Sequence, residues 1–216
     1  MKKGDILWGL GIALIAAILI VPASHAVFVV FTTQHPYMAG FVKFFILATM
    51  GELLAIRIIT SNWTVPKGWF YRALIWGFLG MAIVLTFGIF SGGVAAATNQ
   101  GLLPGKGVKF LGAFFTSAIM NLSFGPAMMC FHRFTDTFID MKYEGEQNIN
   151  ILKLVRRIDW NGFYSFVVLK TIPFFWIPAH TAVFLLPAEY RVIAAAFLSV
   201  ALGGILAFAK KKPQKN

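Results

Sequence analysis

Acidic side chains are scarce in this chain: 8 Asp and Glu in 216 residues, against 19 Lys and Arg. Charges of both signs make up only 12% of it, and there is one cysteine, Cys130. No polar stretch exceeds about 30 residues, far less than a separate soluble domain needs. These shortages exclude several readings. A lone thiol inside an apolar run closes no internal disulfide and offers no cysteine-based metal site, so Cys130 reads as a packed core thiol. The net charge of +11 would suit nucleic acid. The basic residues, however, lie in short loops and at the ends, with no basic-aromatic surface motif beside them, and no nucleic-acid partner is expected.

What is abundant is apolar. Hydrophobic residues make up 58% of the chain and its mean hydropathy is +0.75, well above a soluble domain. The expectation is one all-α integral-membrane domain over residues 1–216, a polytopic helix bundle whose first partner is the lipid bilayer. A bilayer core takes about 20 apolar residues per helix. Six segments qualify: 6–31, 40–60, 73–97, 110–131, 162–186 and 190–209. They lack the alternation of barrel strands. The polar stretch 133–159 is predicted to be a cytoplasmic loop with a short amphipathic helix.

Loop charges orient the bundle. With the N-terminus inside, Lys2, Lys3, Arg57, Lys67, Arg72, Arg133, Lys142, Lys153, Arg156, Arg157, Lys210, Lys211, Lys212 and Lys215 gather on one side. Only Lys43, Lys106, Lys109 and Arg191 gather on the other, so both termini are expected in the cytoplasm. "MKK", a long apolar run and "PASHA" imitate a secretory signal and its cleavage site. Asp5 and the following "VFVVF" favour a retained helix. No Arg- and Ser-rich transit segment precedes it, which favours a bacterial cytoplasmic membrane over a mitochondrial inner or peroxisomal one. Gly88 with Gly92, and Gly203 with Gly204, predict close helix packing.

Ionisable groups at membrane depth cost about 2.5 to 3.5 kcal/mol each and need a partner or a wet cavity. Glu52 falls near the middle of its segment, and neither Lys43 nor Arg57 shares its helix face. Two readings stay open: a structural pair with Arg72, Lys170 or a backbone donor, or a place in a polar cavity. Lys170 sits well inside its own segment, which Pro173 and Pro178 break. A broken helix leaves carbonyls that only protein or water can satisfy, so His180 is expected to share the bundle interior with Lys170. Asn121, Gly125, Met128 or Met129, His132, Asp136 and Asp140 follow three- and four-residue steps. They form one polar and small stripe that faces protein or water.

Three patches resemble a known family. "GPAMMCFHRFTD" is similar to the Gly-Pro-x-x-His-x-Trp-Tyr-x-x-Leu-Asp signature of the Mpv-type peroxisomal and mitochondrial inner-membrane proteins, which have bacterial members. Gly125, Pro126 and Asp136 match it, Met129 stands at its His, and Phe131 and His132 take the aromatic pair. "WIPAHTAVFLLPAEYR" is similar to the family's C-terminal segment through Trp176, Pro178, Phe184, Pro187 and Arg191. "HPYMAGFVKFFILATMGELLA" is similar to its N-terminal helix, with Gly51-Glu52 in place of Gly-Asp. An extra helix precedes the first patch and residues 73–97 stand as an insertion, so the resemblance is to a divergent, bacterial-type member. It implies a small helical membrane protein that is not an enzyme, with relatives described as channels for small solutes.

The function expected on these grounds is a channel or transporter for small solutes, with anions favoured by its cationic mouths. Glu52, Asn121, His132, Lys170 and His180 are its expected lining, with Asp136 at the inner mouth. The alternatives are a non-transporting scaffold or stress protein, and a lipid- or isoprenoid-phosphate enzyme using Asp136 and Asp140. The last has weak support, since no further acidic cluster or Gly-rich phosphate loop accompanies the pair. Haem on two of His25, His132 and His180 is a remote reading. No cofactor and no metal is expected, and a homo-oligomer is compatible.

Overall fold

The computed structural model describes residues 2–211, and within them every regular element is a helix. Lys212 and Lys215, counted above among the inner charges, lie outside the described residues, as do the side chains of Lys210 and Lys211. Five helices or helical runs are long and apolar enough to cross a membrane: Lys3–Ile20, Trp69–Asn99, Lys109–Tyr143, Trp160–Leu185 and Ala188–Ile205. They are compatible with a multi-pass integral membrane protein. Helix α3, Pro36–Thr60, has the length but carries Lys43, Glu52 and Arg57, and is not among the five.

The first predicted segment, 6–31, is two helices. α1 spans Lys3–Ile20 and α2 spans Pro22–Gln34, with Val21 extended between them (φ −72, ψ 122). Pro22 causes the break: its ring disfavours helical geometry at the preceding residue and it has no N–H to donate. Asp5 anchors the start of α1, taking Arg57 at 2.7 Å and the Trp63 indole N–H at 2.8 Å.

α3 is the axis of the bundle, packed on α4 (Trp69–Asn99) and on α9 (Ala188–Lys211). Glycine makes both crossings possible. A Cβ on Gly80 of α4 would stand 2.3 Å from the Gly40 carbonyl oxygen, and one on Gly51 would stand 3.1 Å from Val200 Cα of α9. Gly203 meets the Gly51 carbonyl in the same way, as its predicted seam requires. Gly88 and Gly92 do not: nothing lies within 4 Å of a Cβ at either. They face outward because α4 turns Ile83, Phe87 and Val94 to the core instead.

α5 runs unbroken over Lys109–Tyr143 with Pro126 inside it. The predicted loop 133–159 therefore starts with more than two further turns of helix, because Thr137, Ile139 and Met141 still have buried positions to fill. Only the seven-residue α6, Ile151–Arg157, follows in the polar stretch, capped by the Asn150 side chain at 3.0 Å. The segment expected to break at Pro173 and Pro178 is instead one continuous helical run: α7 (Trp160–Gly162), a π-helical stretch (Phe163–Trp176) that contains Pro173, and α8 (Ile177–Leu185) with Pro178 in its first turn. The wider winding leaves Thr171 Oγ1 donating to the Phe166 carbonyl, five residues back, at 3.1 Å.

Candidate functional site

Polar residues from four helices meet along one line through this bundle. At the end that the loop charges predict to be the inner one, α4 presents Arg72 and, one turn later, Trp76; α5 presents His132, Asp136 and Asp140 at four-residue intervals; α3 presents Glu52. Four-residue spacing stacks side chains on one helix face, so each helix offers a row rather than a point. Arg72 Nη1 lies 2.9 Å from Asp136 Oδ1, and its Nη2 lies 2.5 Å from Asp140 Oδ1. Trp76 Nε1 donates to Glu52 Oε1 at 2.8 Å. The His132 ring packs on the Trp76 ring with centroids 4.2 Å apart. Its Nδ1 stands 3.2 Å from Asp136 Oδ2, and its Nε2 stands 3.9 Å from Glu52 Oε1.

The middle of the line is a small cavity of about 40 Å³ whose walls include Trp76, Asn121, Gly125, Trp176 and His180. Asn121 and His180 are buried and bonded to each other, with amide and imidazole nitrogens 3.1 Å apart. Asn121 also donates to the Ser117 carbonyl at 2.9 Å. Ser117 Oγ in turn donates to the Ile177 carbonyl at 2.7 Å, which ties α5 to the start of α8. Trp176 stacks on His180 at 5.0 Å, and Phe87 meets the same imidazole edge-on at 5.7 Å.

Phe87 pairs with Phe184 at 4.8 Å, and beside this apolar pair lie two cavities toward the end predicted to be the outer one. One of about 630 Å³ is lined by Ser91, Thr98, Lys109, Thr116, Phe184 and Arg191, among others. A second, of about 330 Å³, shares Ser91 and Arg191 with it and adds Lys43, Phe87 and Glu189. Lys43 is buried there, donating to Thr32 Oγ1 at 2.8 Å with its ammonium 4.5 Å from the Phe28 ring centre.

The sequence reading meets this geometry unevenly. Glu52, His132 and Asp136 come together, as do Asn121 and His180, and the α5 stripe is the common wall of both groups. Lys170 does not join them. It is exposed on the π-helical stretch, whose inward positions are Phe163, Thr171, Ile172 and Trp176. The five-residue winding displaces the inward face from where a four-residue period puts it. Of the partners weighed for Glu52, Arg72 is committed to the two aspartates and Lys170 is exposed, and Trp76 supplies the donor. The sequence reading does not single out Trp76, Phe87 or Ser117. Trp76 was discoverable as the residue one turn beyond Arg72, but Phe87 has no mark that separates it from other core aromatics.

The motif residues fall along the same line. Gly51 sits at the α3–α9 crossing, Gly125 in the cavity wall and Pro126 one residue further along α5. Trp176 stacks on His180, Pro178 lies in the first turn of α8, and Phe184, Pro187 and Arg191 line the larger outer cavity.

Among the described residues, four buried side-chain polar atoms have no hydrogen-bond partner: Arg72 Nε, His132 Nε2, Asp136 Oδ1 and Trp176 Nε1. Three belong to the inner cluster and the fourth to the wall of the middle cavity. Unsatisfied buried groups are rare in folded proteins, and their confinement to one line marks it as the candidate site. No family model, curated protein or solved structure matches the chain in comparisons with known proteins.

Proposed function

We propose that the chain is a membrane channel or transporter for small solutes, caught in a closed form, with small anions favoured. The supporting observation is the row of polar side chains on α5, from Asp136 and His132 at the Arg72–Glu52 cluster to Asn121, which bonds His180 in the wall of the middle cavity. A solute or water chain moving along that row would supply partners for its buried polar atoms, among them His132 Nε2 and Trp176 Nε1. The outer cavities carry Lys43, Lys109 and Arg191 against the single acid Glu189, a balance that raises the local concentration of anions. The Phe87–Phe184 pair and Trp76 are the two closures between outer cavities, middle cavity and inner cluster. Apolar constrictions of this kind gate by excluding water.

The membrane arrangement in this reading has six crossings, with α3 counted as one of them and both termini on the cytoplasmic side. The unequal distribution of Lys and Arg favours that orientation. The resemblance to the Mpv-type family implies a function of the same class. A bacterial cytoplasmic membrane is the proposed location.

The test is solute release from liposomes holding the purified protein, over a size and charge series of small organic anions and neutral sugars. Wild type is compared with Glu52→Gln and His180→Ala. Release that favours anions and changes in either variant supports the proposal. No release from correctly inserted, folded wild type, even with Phe87→Ala, overturns it in favour of a non-transporting scaffold.

A further inference from the structure

We infer that Glu52, His132 and Asp136 form a binding site for a divalent first-row transition-metal ion, between α3 and α5. Each residue offers one ligand atom, and these atoms all lie within 4.8 Å of one another. One imidazole nitrogen with two carboxylates is a donor set that suits Zn2+ or Mn2+ better than a soft or an all-oxygen ion.

Three further observations point to a cation. First, His132 Nε2 and Glu52 Oε1 face each other at 3.9 Å, too far for a hydrogen bond, and Nε2 is buried without a partner. With the proton on Nδ1, facing Asp136 Oδ2 at 3.2 Å, Nε2 presents its lone pair to the carboxylate. Two acceptors aimed at one point are satisfied by a cation between them. Second, Asp136 stands beside the same imidazole, its Oδ2 3.2 Å from Nδ1. Asp136 Oδ1 is charge-paired with Arg72 at 2.9 Å yet accepts no well-directed hydrogen bond, so it retains donor capacity toward a metal. Third, the charges leave room for one. Glu52, Asp136 and Asp140 face the cluster against Arg72 alone, with Arg133 exposed on its flank, and Arg72 serves the two aspartates. Glu52 has only the neutral Trp76 indole.

Metal–ligand bonds of about 2.0 to 2.2 Å require the donors to draw together by about an ångström. Glu52 can supply that movement through its flexible side chain. The inference does not depend on solute passage, because binding is read without flux.

Equilibrium dialysis of the full-length protein in detergent against Zn2+, and separately Mn2+, with metal analysis of the protein fraction, tests it. The expected result is one equivalent bound per chain for at least one ion. Glu52→Gln, His132→Gln and Asp136→Asn each weaken binding by about tenfold or more. His35→Gln, changing an exposed histidine away from the cluster, leaves it unchanged. Gel filtration and helical circular dichroism establish that each variant is folded. Should Asp136→Asn fail to fold, Glu52→Gln and His132→Gln decide the matter. Absence of stoichiometric metal in wild type, or equal affinity in wild type and folded cluster variants, overturns the site.

Discussion

Trp76 donates its indole N–H to Glu52 across 2.8 Å, and its ring lies 4.2 Å from that of His132. One aromatic side chain of α4 therefore holds the polar groups that α3 and α5 present. Replacing it by phenylalanine keeps most of the packing and removes the donor. Trp76→Phe is expected to lose about 1 to 3 kcal/mol of stability, the cost of an unpaired carboxylate in a shielded site. Glu52→Gln, which keeps an acceptor for the indole, is expected to lose less. Unfolding of both in the same detergent, followed by circular dichroism, checks the order.

Arg72 is 11% exposed and holds Asp136, 22% exposed, and Asp140, 57% exposed. Removing it as Arg72→Ala leaves Asp136 shielded with only the His132 imidazole beside it, with an expected loss of about 3 kcal/mol. Asp140→Asn changes a group largely in solvent and is expected to cost under about 1 kcal/mol. A double-mutant cycle on Arg72 with each aspartate should give the larger coupling to Asp136.

Phe87 and Phe184 touch at 4.8 Å between the outer and middle cavities. Phe87→Ala is expected to cost about 3 to 5 kcal/mol, as truncation of a core aromatic does, and to raise anion release from liposomes. A loss of stability with no change in release would mean that the pair is only core.

Gly80 and Gly92 lie on one helix and predict opposite outcomes. Gly80→Ala forces a Cβ to 2.3 Å from a backbone oxygen of α3 that cannot yield without separating the helices. Folded protein should fall sharply. Gly92→Ala meets open space and should leave expression and melting temperature near wild type.

Lys170→Met, at an exposed position of the π-helical stretch, is expected to leave solute release unchanged. A changed rate would place this lysine on the path after all.

Composition and charge distribution made the all-helical architecture legible, because uncharged runs of membrane length have few other folds open to them. Four-residue spacing made the α5 stripe legible as far as Asp140. Two kinds of feature escaped. Gly40, Gly80 and Gly51 look no different in sequence from Gly88 and Gly92, since a small residue permits a crossing without choosing where it falls. Lys170 is exposed although its depth in the segment and the neighbouring prolines suggest the interior, because neither depth nor proline fixes which way a side chain points on a π-helical stretch. Glu52 was correctly marked as needing a partner from another helix, but the partner is a tryptophan, a residue that hydropathy counts as apolar while its N–H still needs an acceptor.

The fourteen residues from Phe163 to Trp176 also carry a geometric property. Their bonds reach five residues back instead of four, so each residue turns through a smaller angle than the roughly 100° of an α-helix. Trp176 ends this stretch and His180 follows one turn later, so the wider winding sets the direction from which both rings reach the wall they share with Asn121.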